Sequence, residues 1–186
     1  MRKLLCAALA AAVAAGGALA DTRPTLEIEV EGAAQGRVVI ELRPDIAPGH
    51  VERLTTLAAS GAYDGVAFHR VIDGFMAQTG DVQYGRPDSP PGRAGTGGSN
   101  LPNLRAEFSD VPFERGIVGM ARAQSPHSAN SQFFIMFAPA PHLNGQYTVV
   151  GQVIEGMEVV DAITRGTGQG GSVANPDRMA RVTVGP

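Results

Sequence analysis

Arg70 and Gln78 stand eight residues apart in the run from Val66 to Asp81, VAFHRVIDGFMAQTGD, with Phe75 and Met76 between them. Asp73-Gly74 between two apolar stretches is a hairpin signal, so the two halves are expected to fold back side by side. That folding gathers a guanidinium, a carboxamide, phenyl rings and a thioether into one place. Alternation is expected to set Phe68 and Arg70 on one face and His69 on the other. Beyond the turn it separates Phe75, Ala77 and Thr79 from Met76, Gln78 and Gly80. A guanidinium stays charged at any working pH and presents its donors in a planar fork. Such a site has apolar walls and hydrogen-bond donors, with no nucleophile and no obvious base.

A second run, Gly116 to Phe137, has a similar character. QFFIMF (132–137) is strongly strand-forming. Phe133 reads as core, and alternation sends Phe134 to the other face in the company of Ala121, Ala123 and Gln132. Those neighbours are too small and polar for a continuous core face. They leave space that Phe75, Met76, Phe134 and Leu143 can wall and that Arg70, Gln78 and Gln132 can edge. Such a cleft suits a small apolar ring carried on a peptide.

The remaining constellations carry less. His50, His69, His127 and His142 lie 19, 58 and 15 residues apart, unlike the close spacing of metal-ligand sets, so no metal site is expected. His50 and Glu52, in the first turn of a predicted helix, read as a solvated face. Gly95-Thr96-Gly97-Gly98 lacks the Lys-Ser/Thr pair of a phosphate loop, and Asn100 stands where a dinucleotide pattern has its last Gly; it reads as a tight turn. No Gly-x-Ser-x-Gly occurs, so hydrolase chemistry has no support.

The elements that must position these groups are short. Strands are expected over Thr25–Glu31, Arg37–Leu42, the pair within 66–79, Leu104–Phe108, Gly116–Ala123, Gln132–Phe137, Thr148–Ile154 and Met179–Val184. Helices are expected over Ile46–Ser60 and Met157–Ile163, the first with Pro48 near its start and Gly61 past its end. Many short strands with two helices argue for an all-β barrel rather than a parallel sheet with crossover helices. The long loop from Gln83 to Pro102 is rich in Gly and Pro.

Residues 1–20 read as a cleaved secretory signal: Arg2 and Lys3, an apolar stretch from Leu4 to Ala15 too short to span a bilayer, and Ala18-Leu19-Ala20 as the cleavage site. The alternative, a membrane anchor, fits this Ala-rich stretch less well. Cleavage leaves residues 21–186 as one domain and takes the formal charge from −3 to −5. Lys3 and Cys6 are the only lysine and the only cysteine, so the mature chain has no disulfide and no basic run. Nucleic-acid binding is therefore not expected. Export without disulfides points to the periplasm, with no membrane attachment after cleavage, and the domain is expected to be monomeric.

The segments FHRVIDGFMAQTGD (68–81), GTGG (95–98), GIVGMARA (116–123), SQFFI (131–135) and HLNGQYTVVG (142–151) together resemble the cyclophilin peptidyl-prolyl isomerases. The resemblance runs from about Thr25 to Val184. It implies a closed eight-stranded antiparallel barrel capped by two α-helices, with the site on the barrel's outer face. By the same resemblance Arg70 is the catalytic arginine and Gln78 holds that arginine and the substrate. Phe75, Met76, Phe134 and Leu143 form the proline pocket, and Ala121, Arg122, Ala123 and Gln132 form the groove for the peptide backbone. Three positions depart from the best-known eukaryotic pattern: Arg122 replaces Asn, His142 replaces Trp at the pocket rim, and Tyr147 replaces His in the pocket wall. The implied partners are unfolded or partly folded proline-containing polypeptides, and no cofactor is needed. A competing reading is an exported module that holds proline-containing segments without useful turnover; the intact Arg70 and Gln78 favour the enzyme.

Overall fold

Strict alternation in Thr25–Glu31 (β1) turns Leu26, Ile28 and Val30 inward, and in Gly36–Leu42 (β2) it does the same for Val38, Ile40 and Leu42. The two strands pair antiparallel with Ile28 opposite Val38 and Leu26 opposite Ile40, so their inward sets meet on one face. The computed structural model describes residues 23–186 apart from Gln169; the expected signal, residues 1–20, lies outside them.

After β2 comes a helix, Pro48–Ala59 (α1), with Pro in its first turn, where a missing N–H is harmless. Then follow Val66–Ala67 (β3), Arg70–Ile72 (β4), Met76–Thr79 (β5), Ile117–Met120 (β6), Phe133–Met136 (β7) and Val149–Glu155 (β8). A short helix, Met157–Ala162 (α2), precedes the closing strand Arg178–Gly185 (β9). All ladders are antiparallel, in the order β3-β9-β1-β2-β8-β6-β7-β5-β4. The ends of this curled sheet, β3 and β4, are consecutive in the chain and only Phe68 and His69 separate them. The sheet therefore curls until its two edges reach one segment of backbone. This is where nine strands stand in place of the expected eight: the strand read through Val66–Ile72 breaks in the middle. Phe68 N–H donates to Asp177 at 2.9 Å rather than to a ladder partner, and its ring enters the core. Phe68 is thus not beside Arg70, as simple alternation had placed it.

The interior holds one large apolar cluster, including Leu26, Ile28, Ile40, Leu54, Tyr63, Phe68, Phe133, Ile135 and Met179. A second, smaller cluster lies on the outer face of β5, β6 and β7 and contains Met76, Phe113, Ile117, Phe134, Met136 and Leu143. β7 divides cleanly between them: Phe133 and Ile135 point inward, Phe134 and Met136 outward.

Two further expectations give way. His50 is fully buried rather than solvated, with its Nδ1 2.6 Å from Glu107 Oε2. Glu107 also accepts from the backbone N–H groups of Gly49 and His50, both at 3.1 Å, and so caps the start of α1 from 57 residues away. Glu52 is exposed as expected. The strand expected over Leu104–Phe108 reduces to one bridge, Leu104 to Ala129; farther along, Glu107 N–H turns to Thr148 Oγ1.

Candidate active site

The registers of the outer face place four side-chain positions in one row. Arg70 lies opposite Gln78 across β4–β5, Gln78 opposite Phe134 across β5–β7, and Phe134 opposite Gly119 across β7–β6. Gly119 leaves room for the ring. A Cβ there would stand 2.6 Å from both Phe134 Cζ and Phe113 Cε1. Phe134 instead stacks on Phe113, with centroids 5.8 Å apart, and meets Tyr147 edge-on at 5.8 Å.

Around this row is a pocket of about 310 Å³ lined by Arg70, Phe75, Met76, Gln78, Ala121, Arg122, Phe134, His142, Leu143 and Tyr147. Met76, Phe134 and Leu143 are its buried floor, at 2%, 5% and 7% exposure. Phe75 does not share a face with Ala77. It sits before β5 begins, in the turn that Gly74 makes at φ 67°, and packs with the outer cluster, stacked on His142 at 5.8 Å. The other two expected residues, Ala123 and Gln132, line an adjoining pocket of about 490 Å³ that shares Gln78, Ala121 and Arg122 with the first. The sequence-derived set thus falls around two contiguous hollows.

A directed hydrogen-bond chain links them. Arg70 Nη1 donates to Gln78 Oε1 (3.1 Å), Gln78 Nε2 to Gln132 Oε1 (2.9 Å), and Gln132 Nε2 to the carbonyls of Gly95 (3.0 Å) and Gly97 (2.8 Å). Its polarity is set from both ends. Backbone carbonyls can only accept and a guanidinium can only donate, so each carboxamide has one allowed orientation. Arg70 Nε also donates to Gly170 O at 3.0 Å. Two fixed bonds orient the plane of the fork, and among the described residues Nη2 has no hydrogen-bond partner.

Asp81 and Asn130 anchor the far end of this chain, and sequence reasoning missed both. Asp81 is fully buried, and its Oδ2 accepts from Gly95 and Gly97 N–H (2.7 and 2.9 Å) while Oδ1 accepts from Gln83 and Tyr84 N–H. The glycine-run amides therefore grip a carboxylate of the chain itself. Asn130 Oδ1 accepts from Ser99 N–H and Oγ, both at 2.7 Å. The available signal was an Asp closing a strand just ahead of a Gly-rich loop, a buried anion with amides at hand.

His69 lies behind Gly95, buried to 8% exposure, with no hydrogen-bond partner on either ring nitrogen among the described residues. Burial pushes its pKa below the ordinary histidine value, against the pull of Asp81, so it is neutral near pH 7. Chemically, the arrangement offers an oriented permanent cation at the edge of an apolar hollow.

Comparison with known proteins agrees. The family model described as "Cyclophilin type peptidyl-prolyl cis-trans isomerase/CLD" matches residues 25–184. A probable peptidyl-prolyl cis-trans isomerase of Brucella suis is 52% identical over 191 residues, covering 99% of this chain and 96% of the relative. Peptidyl-prolyl cis-trans isomerase B of Bacillus subtilis is 39% identical over 132 residues, 70% of this chain and 85% of the relative. Among solved structures, a Cryptosporidium parvum cyclophilin crystallised in the presence of the dipeptide Ala-Pro has a TM-score of 0.74 at 26% identity, covering 87% of this chain and 99% of that one. The curled antiparallel sheet and the matching family model place the chain in a class of isomerases. The chain belongs to the cyclophilin-type peptidyl-prolyl cis-trans isomerases.

Proposed function

We propose that Arg70 accelerates rotation about X-Pro bonds in unfolded or partly folded polypeptides outside the cytoplasm, with the prolyl ring seated in the 310 Å³ pocket. Rotation is slow because the amide must surrender its resonance, a barrier of roughly 18–20 kcal/mol, and uncatalysed exchange takes about 10–100 s. In the twisted state the prolyl nitrogen becomes pyramidal and gains a lone pair. A donor aimed at that nitrogen binds the twisted state better than the planar one, which is what lowers the barrier. Arg70 has the donors, and Gln78 and Gly170 hold its plane, so little reorganisation is needed when the lone pair forms. Met76, Phe134 and Leu143 grip the ring while the preceding carbonyl swings, and their apolar surface strengthens the hydrogen bond by excluding water. No proton is transferred and no covalent bond forms.

The observation that carries this reading is the doubly anchored guanidinium at the rim of an apolar pocket. Its test is an isomerisation assay on residues 21–186 with Arg70→Ala and Arg70→Lys. Wild-type turnover with loss in the alanine variant supports it; peptide binding without turnover would make the chain a holder of proline segments instead.

The export part of the reading rests on the Arg2–Ala20 pattern. It requires a mature chain that begins at Asp21, is recovered from the periplasm as a monomer and is indifferent to reductant, as intact mass and size-exclusion chromatography of the exported protein will report. Retention of residues 1–20 on the folded protein would sink it.

A further inference from the structure

Arg122 lines both hollows, at the place where a chain leaving the proline pocket must pass toward the larger one. Its guanidinium lies over the Tyr147 ring, Cζ 4.4 Å from the centroid. Its donors reach only backbone carbonyls: Nε and Nη2 to Gln146 O (3.3 and 3.1 Å), Nη1 to Ala123 O (3.0 Å) and Gln124 O (3.2 Å). Carbonyls hold the fork in place but cancel none of its charge. By contrast Arg23, Arg37, Arg43, Arg115 and Arg165 each sit in an ion pair with a carboxylate. Among the described residues Arg70 and Arg122 have no such partner; Arg53, Arg86, Arg93, Arg105, Arg178 and Arg181 also lack one, but none of those lines either hollow.

The surroundings do not compensate. No Asp or Glu lines either hollow, and besides Arg122 the lining side chains able to carry positive charge are Arg70 and His142. Asp81 is near the larger hollow, but it is fully buried and four backbone amides face it from Gln83, Tyr84, Gly95 and Gly97. A chain with a formal charge of −3 therefore presents a positive groove at its active site.

Resting on the isomerase reading above, we propose that Arg122 is a specificity-determining residue that selects polypeptides with an acidic side chain flanking the proline on the side of the larger hollow. A clamped guanidinium with one face on an aromatic ring gives a fixed positive potential at little entropic cost. The attraction acts on planar and twisted amides alike, so the preference enters KM and leaves kcat nearly equal between substrates.

The test uses the mature enzyme and two series of short proline peptides, with Glu, Gln or Lys either just before or just after the proline. In the series whose variable residue crosses Arg122, kcat/KM for Glu is expected to exceed that for Lys by about 5-fold or more at low salt, with Gln between. The ratio should shrink as salt approaches about 1 M, where the screening length falls to about 3 Å. It is read within each variant, whatever the absolute rate: Arg122→Gln brings it to near one, and Arg122→Lys keeps most of it. A ratio within twofold of one in both series overturns the proposal, as does one that survives Arg122→Gln or that resides in kcat. Failure of the isomerase reading looks different, since the neutral Gln peptides would then show no turnover at all.

Discussion

The two sides of the barrel wall run the same alternating pattern to opposite ends. On the β9–β1–β2 side the inward residues are apolar and the outward ones mostly charged or polar, Val39 apart. Glu27, Arg37 and Glu155 make a surface chain of pairs at 3.0 and 3.4 Å. On the β5–β7–β6 side the outward residues other than Gln78 are apolar as well, and every residue of β6 and β7 is buried. A strand buried on both faces needs a cover on its outer face. Here the segments bearing Phe113, Leu143 and Tyr147 supply one and leave a gap, the pocket proposed above for the prolyl ring. The difference teaches that the site is a second core, left incomplete at Ala121 and edged by two cations, Arg70 and Arg122.

Arg70→Ala breaks this comparison hardest. Removing an aimed donor from a pre-organised site lowers kcat/KM by about 10²–10³-fold, while an outward, half-exposed head contributes little to folding, so stability should stay within about 0.5 kcal/mol. A protease-coupled isomerisation assay and a urea melt read the two quantities. Arg70→Lys should recover only part of the rate, because a point charge lacks the planar fork. An alanine variant with near-native turnover would remove the arginine from the mechanism.

Gly119→Ala tests the idea of an unfinished core. The added methyl group meets two aromatic rings at 2.6 Å, so Phe134 must tilt into the pocket. We expect a destabilisation of about 1–3 kcal/mol from overpacking, with KM for proline peptides raised. Glu29→Ala on the opposite wall should change stability by no more than about 0.5 kcal/mol and activity not at all. Denaturant melts of the two variants compare the walls directly.

Acid should weaken the closing side before it touches the chemistry. Asp177 is buried; burial alone would raise its pKa, but the N–H groups of Thr164 (2.6 Å) and Ala34 (2.9 Å) outweigh that and hold it below the ordinary carboxylate value. A folded-state pKa below the unfolded one gives stability that is full above about pH 5 and lost as pH falls through the ordinary carboxylate pKa toward the folded one. Glu107 works the same way, its burial outweighed by His50 and the α1 amides. Asp177→Asn should be less stable at pH 7 and lose less between pH 5 and pH 3. Parallel pH-stability curves would show that Asp177 is not the source.

The smallest effect expected is none. For a neutral peptide the saturated isomerisation rate should be flat across about pH 5.5–8.5, because arginine does not titrate there and His69, whose pKa burial pushes below the ordinary histidine value, does not line the pocket assigned to the chemistry. A pH-dependent rate that becomes flat in His142→Phe would place histidine in the chemistry.

Local pattern was enough for elements whose partners lie next to them in sequence. β1 falls on Thr25–Glu31 as the alternation predicts, and the turn at Asp73-Gly74 pairs Ile72 with Met76. Nine of the twelve site residues could be grouped because their types are odd for their positions, an Arg in a strand, an Ala pair and a Gln on a face otherwise set for core; Arg122, His142 and Tyr147 came from the family resemblance alone. What escaped was fixed at long range. His50 is buried because Glu107 reaches it across 57 residues, and Asp81 matters because Gly95 and Gly97 come to it. Phe68 turns inward because Asp177, near the far end of the chain, takes its N–H. No window on the sequence contains such partners.

The break at Phe68–His69 has a consequence in time. Arg70 begins the strand after that break, and what steadies it arrives 100 residues later: its Nε reaches Gly170, its backbone bridges Ser172, and Val71 N–H donates to Gly171 at 2.8 Å. Just before the break, β3 pairs with β9 alone. Synthesis runs from the N-terminus at about 5–20 residues per second, so for several seconds the growing chain carries its arginine with Gln78 at hand but without its Gly170 anchor. The isomerase should stay silent until its last strand is in place and has closed the loop, and its own X-Pro bonds must settle without its help or with that of a finished copy. A chain stopped at Ala162 should accordingly show no isomerisation, even though the pocket-lining residues are all present.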